Sequence, residues 1–400
     1  MEEMQKVTKS RIRSIDVMRG LTLFLMLFVN DLFSPAASKW LLHTEGHVDG
    51  IGLADWVFPG FLFMVGIAVP YAILARRKKG DSSGRIFCHV LFRTLSLLLI
   101  GVLILNGGRV NAALTQMPQL LWSACLYVCI FLVWNLYPKT SRYNGLFIAL
   151  RAIGVLGLLY LVFIFKAGTA ENIRGLEIGW WGILGLIGWG YFAAAVVYLL
   201  ARDRIIFVVC CWLLFVALNI LSQQGLLPHI PYVGRYFGVL LSGNVPSIVL
   251  AGLLVGLLIR RYASQPFLLL RYLVILAIFW IVAGFSLRNW FILSKIYGTP
   301  SWAMLCNGLS LLLLIVIYYL VDIKKFQKGI GIFETVGRNS LTTYLAPDVI
   351  YFICWGFSIP LFFYKQPDYS FLAVGGSLLW AYSMLWFAVG LQKLYIQLKL

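Results

Sequence analysis

The 400-residue chain reads as an all-α, polytopic transmembrane helix bundle of about 10–12 membrane helices with both termini cytoplasmic, and three observations carry that reading. Hydrophobic residues make up 61% of the chain and charged residues 12%, about half the charged share of an ordinary soluble domain. The apolar residues gather into runs of about 20, the length that crosses a hydrocarbon core as a helix. The basic residues that separate these runs alternate between dense and sparse loops, the pattern that orients membrane proteins.

Taken in order, the first helix, 14–34, follows a basic amino terminus at 1–13 that holds Lys6, Lys9, Arg11 and Arg13. That start resembles a signal sequence, but it is long, carries Asp16, Arg19 and Asn30 and lacks a small-residue cleavage site, so a retained helix is expected. The second helix, 55–75, ends on Arg76, Arg77, Lys78 and Lys79; the third, 86–106, runs from Arg85 to the sparse loop of Arg109. The fourth, 118–136, meets Lys139 and Arg142, and the fifth, 145–165, meets only Lys166 and Arg174. The sixth, 179–201, ends at Arg202 and Arg204, and the seventh, 205–222, leads to Arg235. The eighth, 238–259, ends at Arg260 and Arg261 but contains Gly243, Asn244 and Pro246, so a broken or re-entrant element is expected there. The ninth, 267–287, leads to Arg288 and Lys295, and the tenth, 301–321, to Lys324, Lys325 and Lys328. The eleventh, 337–358, leads to Lys365, and the twelfth, 370–391, to Lys393 and Lys399. The dense loops all fall on the side of the termini, which makes that side cytoplasmic. In a bacterial cell the membrane would be the inner one.

The net charge of +18 therefore marks topology rather than a nucleic-acid surface. No repeat or long linker divides the chain, so one membrane domain is expected over 1–400. The exterior stretches 34–54, 166–178, 222–237, 288–300 and 359–369 are rich in Trp, Tyr, Pro and Gly and suit a lid or shallow cleft. All seven cysteines lie in apolar runs as small core hydrophobes, with no redox or metal role implied. Most aromatic residues near helix ends fit an interfacial belt.

Chemistry concentrates at the junction of the first two helices, where Asn30, Asp31, His43, His47, Asp49 and Asp55 crowd together. Polar groups at a membrane boundary are costly and point to function. A neutral imidazole, at His43 or His47 in the exterior loop 34–54, suits a general base for an amine or hydroxyl, with Asp31 or Asp55 to orient it. Asn30 can donate to a developing oxyanion. Asp55 also stands where an acidic helix cap is favoured. Helical spacing puts Asp16, Arg19 and Asn30 on one face, either as a polar route or as an Asp16–Arg19 pair with Asn30 bonded to a neighbouring helix. Near the cytoplasmic end, Arg338, Asn339 and Ser340, with Asp348 beyond them, offer donors for an anionic group or simply cap a helix. The Arg76–Lys79 cluster reads as a topology determinant. A His pair spaced by four without a third ligand does not make a metal site.

The blocks SIDVMRGLTLFLMLFVND, then His43, then DGIGLADWVFPGFLFMVG resemble the start of the membrane domain of the heparan-alpha-glucosaminide N-acetyltransferase family. FLVWNLYPK, WWGILGLIGWGY, SKIYGTPSW and VGRNSLTTY resemble an uncharacterised bacterial branch of it, so the likeness spans most of the chain. It implies a transmembrane acyltransferase that moves the acetyl group of cytosolic acetyl-CoA to an amino sugar, glycan or lipid-linked sugar on the exterior side. By position it implies His43 as general base or acetyl carrier, following Asn30, with His47 the competing assignment. Acetyl-CoA would lie in a basic-edged cleft, with Asp16, Arg19, Arg338, Asn339 and Ser340 the candidates to hold it. The middle-helix element MPQLLWSACLY lacks the arginine of the lysosomal enzymes, and a large luminal amino-terminal domain is not expected, so the acceptor need not be heparan. Membrane lipids are expected partners, and a homodimer is compatible with the reading. Two competing readings are a sugar or lipid transporter using Asp16, Arg19, Asn30 and Asp31 as a path, and a non-catalytic scaffold.

Overall fold

The computed structural model describes residues 12–138, 142–227 and 231–400. All twelve apolar runs form helices: α1 (Arg13–Asp31), α2 (Leu53–Lys78), α3 (Ser83–Gly107), α4 (Gln119–Trp134), α5 (Asn144–Ile164), α6 (Gly182–Ala201) and α7 (Ile205–Gln223), then α8 (Pro231–Leu241) with α9 (Asn244–Arg261). They continue as α10 (Pro266–Leu287), α11 (Pro300–Tyr318), the short α12 (Gly331–Arg338), α13 (Ser340–Gly356) and α14 (Ser370–Lys393). Among the described residues, nine spans are long and apolar enough to cross a membrane, with α8 and α9 counted as one. The remaining three fall short of that standard for visible reasons. Charged Arg13, Asp16, Arg19 and Asp31 interrupt α1, and α4 and α13 have only 16 and 17 residues. The apolar outer faces of α5, α7 and α10 are largely exposed, as expected of surfaces solvated by lipid, and the protein is an integral membrane protein.

The expected break in the eighth run is real and falls at Gly243, whose φ of +69° separates α8 from α9. A Cβ there would stand 2.1 Å from the Phe215 carbonyl oxygen, so glycine is required both for the backbone conformation and for the approach of α7. Pro246 sits in the first turn of α9, where its missing N–H costs no helical hydrogen bond.

At the centre α9 is buried on nearly every face and packs along α2. Their backbones meet through glycines: a Cβ on Gly66 would lie 1.9 Å from the Val249 carbonyl oxygen, and one on Gly252 would lie 2.0 Å from that of Phe63. In lipid, where apolar burial drives little association between helices, such small-residue crossings supply the packing. A similar crossing joins α1 to α12, with Gly337 against the Asp16 carbonyl and Gly20 against that of Phe333. The carboxyl-terminal segment folds back onto the end of α4, with Leu136 N–H donating to the Gln397 carbonyl (2.8 Å) and Lys399 N–H to that of Trp134 (3.0 Å).

Candidate active site

The loop after α1 makes a single 3-10 turn at Lys39–Leu41 and then doubles back over the start of α2. Gly52 permits the fold: a Cβ there would be 1.9 Å from the Leu42 carbonyl oxygen. The return brings the Thr44 and Gly52 amides to one carboxylate oxygen of Asp55, at 2.9 and 3.1 Å, and leaves the other oxygen 2.7 Å from His43 Nδ1. Asp55 is not the helix cap expected from sequence: the cap position is Gly52, and Asp55 stands three residues on, inside the first turn of α2, where it accepts from the Gly52 amide and partners His43. The carboxylate is 1% exposed, while the His43 side chain is 52% exposed, with its second nitrogen left free of that bond. An anionic carboxylate at 2.7 Å accepts from Nδ1–H, which puts the lone pair on Nε2, the arrangement of a base.

His47 does not join this pair. It faces Glu45 at 3.5 Å, and both side chains are about three-quarters exposed. Asp49 ties the loop to the segment between α10 and α11, accepting from Leu293 N–H and from Arg288 Nε, each at 2.8 Å. The Leu293 amide, and secondarily Arg288, hold the Asp49 carboxyl below its ordinary 3.8. A depressed carboxyl stabilises the fold above its ordinary value and loses that contribution as the pH falls through the folded value. The Leu293 amide is therefore expected to keep its protection from hydrogen exchange, corrected for intrinsic rate, through 3.8 and to lose it only at lower pH, as the folded Asp49 carboxyl is protonated.

That second segment adds a residue that sequence reading passed over. Lys295 donates to the Ala54 carbonyl at 3.1 Å and places Nζ 3.3 Å from His43 Nδ1. Burial lowers its pKa, against the opposing pull of Asp55. Its segment is fixed by Ser294 Oγ donating to the Gly46 carbonyl (2.8 Å), and by the Asn219 and Asn244 amides donating to that of Gly298 (3.0 and 2.8 Å).

Asn30 and Asp31 end α1 beside α13 and α14 rather than on the His43–Asp55 pair. Asp31 is 1% exposed and accepts from the hydroxyls of Tyr351 and Tyr364, the latter at 2.7 Å, with Lys365 Nζ at 2.8 Å. Burial, and secondarily the Asp31 hydrogen bond, raise the Tyr364 hydroxyl's pKa. Removing the carboxylate leaves a partly buried ammonium and two hydroxyls without their acceptor. Asp31→Ala is accordingly expected to cost about 3 kcal/mol, read as a lowered unfolding temperature in detergent. Asn30 is exposed and lines a cleft of about 50 Å³ with Leu27, Tyr344, Pro347, Asp348, Tyr351 and Trp380.

Asp348, placed near the cytoplasmic end by the sequence reading, sits midway along α13, bonded to the Tyr127 hydroxyl of α4. The amino-terminal end of α1 holds a separate cluster. Asp16 pairs with Arg19 at 3.0 Å and lies 3.6 Å from Arg338, which also bonds Glu334. Arg13 joins Glu334 at 2.9 Å, and its backbone N–H donates to Asp322 at 3.2 Å. Asn339 is buried and bonded to Gln397, and Ser340 opens α13 half-buried. Leu23, Met26 and Leu27, all buried, separate this cluster from Asn30. The polar face of α1 is thus divided between its two ends. No group of three or more His, Cys, Asp or Glu side chains suited to a metal occurs among the described residues.

No family model matches the chain. It is 26% identical over 378 residues to heparan-alpha-glucosaminide N-acetyltransferase of Mus musculus, an alignment covering 87% of this chain and 55% of the relative. It is 32% identical over 96 residues to the Homo sapiens protein of the same name, covering 24% of this chain and 14% of that one. The chain spans about half the length of the mouse relative it matches. The resemblance implied by its motif blocks thus extends over most of the chain.

Proposed function

We propose that this protein is a membrane acetyltransferase that moves the acetyl group of cytosolic acetyl-CoA to an amine or hydroxyl of a sugar or glycan on the exterior side. The observation that carries the reading is the His43–Asp55 pair, an imidazole whose Nδ1 is held at 2.7 Å by a buried carboxylate while the ring faces outward. Similarity to proteins named as N-acetyltransferases supplies the reaction class. The basic-loop pattern supplies the side: the pair lies at the end of the bundle opposite the termini.

In this reading Nε2 of His43 takes the proton from the acceptor as its nitrogen or oxygen attacks the thioester carbonyl. The carbon–sulfur bond breaks, the CoA thiolate leaves, and the proton returns to it, so that acetyl-CoA and the acceptor become acetylated acceptor and free CoA. The alternative course, attack by Nε2 itself to give an acetyl-imidazole, uses the same free lone pair. Asp55 maintains the tautomer in both and is held ready by the Thr44 and Gly52 amides. Asn30, the donor toward the thioester oxygen expected from sequence, lines the separate cleft beside α13 and α14, so that role requires the donor to bridge from this cleft to His43. On the cytoplasmic side Arg338 is the candidate contact for the donor's phosphates, since its side chain is 43% exposed. Glu334 and Asp16 share its charge, so binding there requires exchange of partners.

A transporter path through Asp16, Arg19, Asn30 and Asp31 has less support, because buried Leu23, Met26 and Leu27 interrupt it and Asp31 is bound by Tyr364 and Lys365. The test is release of free CoA from acetyl-CoA by the purified protein on addition of a panel of amino sugars. Saturable, acceptor-dependent release supports the reading; acceptor uptake into vesicles without acetyl-CoA contradicts it.

A further inference from the structure

We propose that Lys295 is a positioning residue that keeps His43 neutral and its Nε2 lone pair available, by sharing the charge of Asp55. This rests on the reading of His43 as the transferring base. The two hydrogen bonds that Asp55 accepts from backbone amides leave its negative charge intact, and a buried carboxylate 2.7 Å from an imidazole ordinarily draws a second proton onto the ring. An imidazolium cannot act as a base. The Lys295 ammonium opposes this from 3.3 Å. Nδ1 has one position to offer in the ring plane, and the shorter contact to the carboxylate takes it. Lys295 therefore acts on the ring as a charge while its hydrogen bond goes to the Ala54 carbonyl at 3.1 Å. With the ring neutral the trio carries no net charge; protonating the ring leaves one uncompensated positive charge.

Among the described residues, the acidic groups of the surrounding loops are turned to other partners. On His43's own loop, Glu45 is turned to His47 and Asp49 to Arg288. From α2 comes Asp55, and from the segment before α11 come Lys295 and Arg288, the latter bound to Asp49. α11 itself presents the buried Cys306, a thiol whose electrostatic neighbours are Asp55 and Lys295. Lys295 lies 252 residues from His43, and its placement depends on the network that fixes residues 293–299.

The experiment follows the His43 ring Cε1–H signal through pH in histidine-labelled protein in nanodiscs, assigned by its loss in His43→Gln. Lys295→Gln retains a donor for the Ala54 carbonyl and removes the charge. Its midpoint is expected about one pH unit above wild type, a tenfold change in the protonation equilibrium, while Lys295→Arg stays within a few tenths. Coincident midpoints in wild type and Lys295→Gln overturn the proposal, and Lys295→Met supplies the same comparison if the glutamine variant does not fold. Acetyl transfer is measured beside it, where the acidic limb of the pH–rate profile is expected to move by the same interval. A shifted midpoint in a protein that transfers to no acceptor leaves the electrostatic coupling standing and removes the transferase reading. Transfer with coincident midpoints does the reverse.

Discussion

Replacing His43 by alanine is expected to lower acceptor-dependent acetyl transfer by about 10²–10⁴-fold, the usual contribution of a positioned base, with the protein still folded because the ring is half exposed. Asp55→Asn is expected to approach the same loss by another route. The two amides that now bond one carboxylate oxygen would face either the amide oxygen or its NH₂ group, so the side chain cannot serve Thr44, Gly52 and His43 Nδ1–H together. Since an asparagine oxygen can still accept from the Thr44 and Gly52 amides, this variant, like His43→Ala, is expected to stay within about 1 kcal/mol of wild-type stability. His47→Ala is expected to stay within about twofold of wild type, its ring lying away from Asp55 against Glu45. Rates of CoA release and thermal unfolding of the same preparations separate these effects. A dead His47→Ala beside an active His43→Ala would reverse the assignment of the base.

The largest expected loss of stability lies at the crossing of α2 and α9. Gly66→Ala puts a methyl carbon 1.9 Å from the Val249 carbonyl oxygen and 2.8 Å from the Leu253 nitrogen, and backbone atoms cannot turn aside as a side chain does. The helices must separate, at a cost of about 3 kcal/mol, the upper part of the range for overpacked sites. Gly252→Ala meets the Phe63 carbonyl at 2.0 Å and is expected to cost a similar amount. One separation relieves both clashes, so the double variant should lose less than the sum of the two singles. Strict additivity in thermal unfolding would show that the two glycines do not report one crossing. Since α2 also carries Asp55, the single variants should reduce transfer as well.

Much of the bundle was legible because a membrane helix is specified locally: a run of apolar residues bounded by charge sets each span without reference to its neighbours. The Asp16–Arg19 pair was legible for the same reason, since a spacing of three places both on one face. The break at Gly243 was foreseen from glycine, asparagine and proline in one run, though not its division into α8 and α9. The short α12 was absorbed into a loop, because 8 residues with a charged face carry too little apolar length to register. The candidate site was legible only in part. Sequence distance favours His47 as the partner of Asp55, yet the close approach of Gly52 to Leu42 folds the loop so that His43, 12 residues away, makes the bond. Lys295 lies in the quoted block SKIYGTPSW, but an isolated lysine in an exterior loop looks like any solvated charge until the fold brings it to Ala54 and His43. Tyr351, Tyr364 and Lys365 gather on Asp31 from more than 300 residues away, beyond any local signal.

The most direct test of the central claim is vectorial transfer in sealed proteoliposomes of known orientation, with radiolabelled acetyl-CoA on the side of the termini and an amino sugar on the other. The account predicts acetylated sugar in the acceptor compartment and free CoA in the donor compartment, with both lost in His43→Ala. Acetylated sugar formed only when donor and acceptor share one compartment, or sugar crossing unmodified without acetyl-CoA, would contradict it.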